Sequence, residues 1–194
     1  MFTKRHVLSV ILAALLLIPA ATALAEEDPI AGIRHATLRM QRVAWAEAHG
    51  YGQFLDCMSS PNAGAMGQHY VNGDLLNDGA IDVLHPEALL FEPLGGGRSR
   101  LVGVEYLVFV DDWDAAHVQR PVLLGQVFNY VDDPSLGVPP FYALHVWAWK
   151  TNPDGIFADW NPNVTCTPPA VSAPPANIDL CNYRATDGRR VRPC

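Results

Sequence analysis

Residues 87–110 read EALLFEPLGGGRSRLVGVEYLVFV. Two apolar runs, Glu87 to Pro93 and Arg100 to Val110, flank a Gly-rich connector from Leu94 to Ser99, the pattern of a β-hairpin. In the second run both alternating faces are apolar, so the strand should be covered on both sides. Working outward, Val122 to Tyr130 and Phe141 to Trp149 read as further strands, separated by the Pro- and Asp-rich loop Asp132 to Pro140. Asp111 to Val118 reads as a helical turn or two, and Met66 to Asn72 as a short strand after the turn Pro61-Asn62-Ala63-Gly64. Ile30 to Met58 reads as mostly helical. Ile33, Met40, Ala44, Ala48, Tyr51 and Leu55 fall roughly on one stripe, Asp28-Pro29 suits the start, and Gly50 and Gly52 suit an end or break. A helix followed by several strands predicts an α+β domain, an N-terminal helix packed on a mainly antiparallel sheet or half-barrel. The alternative is an all-β sandwich with one helix.

The chain begins with Lys4 and Arg5, continues through the apolar run Val7 to Ile18, and reaches Ala23-Leu24-Ala25 after Pro19. This is the pattern of an export signal cleaved after Ala25, and the apolar run is shorter than the ~20 residues of a membrane span. The expectation is a secreted or periplasmic protein without a stable membrane anchor. Its globular domain spans 26–166, followed at 167–194 by a Pro-rich linker and a short basic tail. In an oxidising compartment four Cys suit two disulfides, and spacing alone leaves three connectivities open. The layout favours Cys57 with Cys166, bracketing the globular body, and Cys181 with Cys194, closing a terminal loop.

The formal net charge is −7 with 49% hydrophobic residues. That apolar content rules out a disordered acidic chain, and the absence of a basic stripe argues against nucleic-acid binding. The Gly95-Gly96-Gly97 run lacks the Lys and Ser/Thr of a phosphate loop, no Gly-x-Ser-x-Gly elbow is present, and Asp111, Asp112 and Asp114 lack the calcium-loop spacing.

Three polar residues stand within apolar strands: His69, Glu105 and His145. An ionised carboxylate at Glu105 would cost several kcal/mol unless paired with a cation, a metal or strong donors. Two imidazoles and a carboxylate on neighbouring strands suit zinc or non-haem iron. A metal-free His–Glu network would satisfy the same burial requirement. By alternation His145 shares a face with Ala143, Trp147 and Trp149. Trp147, Trp149, Phe157 and Trp160 form the densest aromatic region, read chiefly as core with rings left over for a ligand pocket.

The segments Met66 to Asn72, Leu101 to Tyr106, Leu144 to Pro153 and Gly155 to Cys166 resemble an uncharacterised family of secreted bacterial proteins. The resemblance covers most of 36–166 and implies an exported single-domain bacterial protein, with the Cys181–Cys194 tail as an extension. It implies no activity, cofactor or catalytic residue. The functional expectation is therefore a binder of a small molecule or metal ion through His69, Glu105 and His145, with Trp147 and Trp149 beside them. The alternatives are a metal-dependent hydrolase using the same residues, with Glu105 as base, and a structural or interaction protein of the cell surface.

Overall fold

The computed structural model describes residues 28–167. The expected signal segment, the Pro-rich linker and the Cys181–Cys194 pairing lie outside the described residues. In chain order the elements are α1 (Pro29–Thr37), a 3₁₀ turn (Leu38–Gln41), α2 (Val43–Glu47), β1 (Tyr51–Ser60), β2 (Gly64–Asn72) and α3 (Gly73–Leu76). There follow β3 (Ala88–Gly95), β4 (Arg98–Phe109), α4 (Val110–Asp114), β5 (Val122–Leu123), β6 (Gln126–Val127), β7 (Asn129–Val131), a second 3₁₀ turn (Pro134–Leu136) and β8 (Phe141–Val146). The main sheet has the order β1-β2-β3-β4-β8-β7, with β5 and β6 as a separate hairpin. Every neighbouring pair in the main sheet is antiparallel. The fold is α+β, with N-terminal helices on an antiparallel half-barrel.

The Gly-rich hairpin forms as its sequence demands. Gly95, Gly96 and Gly97 all take positive φ, which residues bearing a Cβ rarely adopt, and the strands they join pair from Ala88–Glu105 to Gly95–Arg98. The stretch Ile30 to Met58, by contrast, is not one helix. Asp28 caps α1 by accepting the Ile30 N–H at 3.0 Å. At Arg42 the backbone opens to φ −102 and ψ 116, and after α2 Gly50 turns at φ 89. From Tyr51 the chain is strand. The apolar spacing that carried the helical stripe on to Tyr51 and Leu55 coincides with a strand pairing against Met66 to Asn72 through the Pro61–Gly64 turn. Similarly, Val122 to Tyr130 is not one strand: it turns at Leu124-Gly125, giving β5 and β6, and only Asn129 onward joins the main sheet.

The alternation of β3, β4 and β8 sorts the core into two faces. Leu89, Phe91, Val104, Tyr106, Val108, Leu144 and Val146 point to the helix side, where they meet Ile33 and Ala46. Burying each such side chain contributes about 1.5–3 kcal/mol. Arg34 Nε donates to the Ala148 carbonyl and Trp149 Nε1 to Thr37 Oγ1 at 2.9 Å, so α1 is locked to the end of β8. The opposite face carries Ala88, Leu107 and Ala143, together with the three polar strand residues.

The Cys57–Cys166 disulfide joins edge strand β1 to the C-terminal segment across a sequence separation of 109. Next to this staple, Glu92 is a buried carboxylate that accepts from Lys150 Nζ at 2.8 Å, Arg100 at 2.6 Å and the Thr165 N–H at 3.1 Å. A Cβ on Gly64, at φ 85, would lie 2.1 Å from the Asn161 carbonyl, so the seam between β2 and the C-terminal segment requires glycine there.

Candidate metal centre

Strand register brings the three polar residues together. Glu105 and His145 are direct cross-strand partners on β4 and β8, while His69 lies two strands from Glu105, on the far side of β3. Strands two apart are separated by about 9.5 Å. His69 and Glu105 therefore meet only by leaning over β3, where Glu105 faces Ala88, whose single methyl leaves room. His69 Nε2 lies 3.7 Å from Glu105 Oε2, and His145 Nε2 lies 3.4 Å from Glu105 Oε1. One ligating atom from each residue falls within 4.8 Å of the other two, and all three residues are buried.

The electrostatics differ between the two imidazoles. Burial holds the His69 pKa below its ordinary value, against the attraction of Glu105. Burial also opposes charge on His145, but the carboxylates of Glu105 and Asp159 outweigh it and raise the His145 pKa. Asp159 faces the outer nitrogen, with Oδ1 3.6 Å from His145 Nδ1, and that contact holds its own pKa down. Asn129 Nδ2 donates to the same Asp159 oxygen at 3.0 Å, fixing the carboxylate against β7. His145 thus presents Nδ1 to a carboxylate and Nε2 to the interior, the orientation that carboxylate–histidine pairs give to metal-ligating imidazoles. Two buried nitrogens, His145 Nε2 and His69 Nδ1, make no hydrogen bond.

The cluster forms the floor of a cavity of about 220 Å³. Its remaining lining is mostly apolar, with Leu55 and Met58 from β1, Leu107 from β4, Val131 from β7, Leu136 from the second 3₁₀ turn and Ala143 from β8, but Asn129 and Asp159 also line it. Phe54, half-exposed, is part of the lining. Asp133 also belongs to the lining, but it is exposed and accepts both the N–H and the O–H of Ser135 within its own turn.

Trp147 and Trp149 do not line this cavity. β8 ends at Val146, and the Ala148 N–H folds back onto the Val146 carbonyl, so strict alternation stops there. Trp147 stacks beside His145 with ring centroids 6.2 Å apart, donates Nε1 to the Ala158 carbonyl and packs with Leu90 and Val102. Trp149 crosses to the helix side. The expectation that both indoles share the His145 face is corrected accordingly. Asp159 and Asn129 were not foreseen. Asn129 opens the three-residue strand β7 and Asp159 sits in an irregular segment, and both stretches are too short to carry a periodic signal.

The donor set can be tested against an ion. Zinc bonded at about 2.0–2.1 Å to nitrogen or oxygen places neighbouring tetrahedral ligands about 3.4 Å apart. The two N–O separations, 3.4 and 3.7 Å, are close to that value but run to different oxygens of Glu105, and the three ligating atoms lie only within 4.8 Å of one another, so the side chains would draw together around an ion. Comparison with protein-family models, curated proteins and solved structures finds no match to the chain.

Proposed function

We propose that this is an exported bacterial protein that binds a divalent metal ion, Zn²⁺ or Fe²⁺, through His69, Glu105 and His145 at the floor of a mostly apolar cavity, and takes a small molecule above it. The observation that carries this reading is the unpartnered, fully buried His145 Nε2, aimed at the point where Glu105 and His69 also converge. A buried nitrogen left without a partner costs about 1–3 kcal/mol, and a shared cation would remove that cost while neutralising Glu105. The three protein ligands, two His and one carboxylate, match the sets used by open zinc and non-haem iron sites.

Binding is favoured over hydrolysis with Glu105 as base. Both oxygens of Glu105 face imidazoles, so the carboxylate is placed as a ligand, not as a base beside a metal-bound water. Export fits the Cys57–Cys166 disulfide, since such bonds persist in oxidising compartments. Among the described residues no helix is long and apolar enough to cross a membrane.

The test is equilibrium dialysis of chelator-stripped protein against Zn²⁺ and anaerobic Fe²⁺, with metal quantified per chain. One ion per chain is expected, falling by at least tenfold in affinity for His69→Ala and for His145→Ala. Unchanged affinity in both variants would reject the site.

A further inference from the structure

The cavity face of the sheet is a ladder of cross-strand rows. On β4 and β8, Glu105 faces His145, Leu107 faces Ala143 and Phe109 faces Phe141. On β7, Asn129 pairs with Ala143 and Val131 with Phe141. Alternation puts these side chains on one side of the sheet, and every one of them lines the cavity. Asp133 has extended backbone, φ −125 and ψ 101, so it continues the side of Asn129 and Val131 and lines the cavity too. The floor at His145 and the rim at Phe141 are thus about 13 Å apart along β8. That this space holds a ligand is marked by the unpartnered buried nitrogens of His145 and His69 at its floor.

The two ends of the ladder carry different charge. At the floor, the carboxylates of Glu105 and Asp159 together match the charge of a divalent ion. The lining holds one further carboxylate, Asp133, and no Lys or Arg. Asp133 accepts the Ser135 N–H and O–H through Oδ1 alone, which leaves Oδ2 unused by the described residues. Near it at the rim stand the half-buried rings of Phe109 and Phe141. In the row between rim and floor, Leu107 and Ala143 are apolar, and the Asn129 amide is tied to Asp159 at 3.0 Å. Aromatic rings beside a carboxylate attract an organic cation, by the ring quadrupole and by charge, whereas an anion finds no counter-charge at this rim. The volume, about 220 Å³ where roughly 150 Å³ holds benzene, sets a compact size. Resting on the reading above that the cavity takes a small molecule, we infer that this molecule is a compact organic cation. Its ammonium head lies at the rim by Asp133, Phe109 and Phe141, and its apolar body, one ring or a short chain, points toward the floor.

Three probes of similar shape, 4-fluorobenzylamine, 4-fluorobenzyl alcohol and 4-fluorobenzoate, test this by ¹⁹F NMR titration at pH 7, where the amine is protonated. Protein with and without Zn²⁺ is expected to bind the amine about tenfold more tightly than the alcohol, and the benzoate least. Asp133→Asn keeps an acceptor for Ser135 but removes the charge, and should bring the amine down to the affinity of the alcohol. Phe141→Leu should weaken the amine more than the alcohol. Zn²⁺ stoichiometry should be unchanged in both variants. Equal affinity for amine and alcohol, an amine preference seen only with Zn²⁺ bound, or one that survives Asp133→Asn would overturn this inference and leave the metal reading standing. So would the failure of all three probes to bind. If Zn²⁺ fails to bind in the dialysis experiment while the stripped protein still prefers the amine, the metal reading alone falls.

Discussion

Glu105 and His145 face each other across the β4–β8 ladder, with Oε1 and Nε2 3.4 Å apart and both side chains almost wholly shielded from water. Each alone would be an expensive residue in an apolar strand. Side by side, and joined by His69, they become a polar island whose members satisfy one another only in part. The substitution Glu105→Gln keeps the shape and removes the charge. It should destabilise the metal-free protein by about 1–3 kcal/mol, because His145 loses the stronger of its buried counter-charges. Urea denaturation measures this directly; a variant that unfolds at the parent's midpoint would mean that the cluster is wet.

Asp159 acts on the cluster from behind. Since its carboxylate helps raise the His145 pKa, Asp159→Asn should bring that pKa down, which NMR titration of the imidazole in the metal-free protein can follow. The same variant should weaken metal binding about 10–100-fold, the usual cost of losing the carboxylate behind a ligating histidine. A lowered pKa with unaltered metal affinity would confine Asp159 to a structural role.

Two other buried carboxyls should give stability opposite pH dependences. Glu87 accepts the Leu107 N–H at 3.0 Å, and burial pushes its pKa from 4.5 up to about 8. Between those values the folded chain holds a proton that the unfolded chain has released, so stability falls as pH rises through this window. Glu87→Gln should remove this loss, leaving stability near that of the parent at pH 5 and raising it by up to about 3 kcal/mol at pH 7. Burial works against ionisation of Glu92 as well, but Lys150, Arg100 and the Thr165 N–H hold its pKa below the ordinary value. Its contribution is present above about pH 4.5 and is lost on acidification below that. Denaturation midpoints of Glu87→Gln and Glu92→Gln across pH 3–9 separate the two effects; parallel profiles would contradict both assignments.

The Cys57–Cys166 bond closes most of the described chain into a loop. Chain-entropy arguments assign such a crosslink about 4–5 kcal/mol. Replacing both residues with Ala should lower the Tm by roughly 10–20 °C in a calorimetric scan. A shift of only a degree or two would show that the hydrogen bond from the Thr165 N–H to Glu92 on β3 already holds the C-terminal segment in place.

Much of this was legible in the amino-acid order. The β3–β4 hairpin follows from its glycines and its two apolar runs, whereas Cys57–Cys166 was the favoured one of three pairings that spacing left open, and the structure decided it. His69, Glu105 and His145 stood out because each interrupts an apolar strand, where an unpaired polar group is costly. The break at Gly50 was visible as glycine, yet the strand beyond it was hidden, because Tyr51 and Leu55 also fit a helical stripe. Strand order and register are another matter. Pairing between β2 and β3, or β4 and β8, joins residues far apart in the chain, and no local propensity encodes which residue will lie opposite which. That His69 reaches Glu105 over Ala88, that Asp159 swings behind His145, and that Trp149 leaves the His145 face are all consequences of long-range packing. Local chemistry named the residues that needed partners; only the closing of the sheet decided which partners they met.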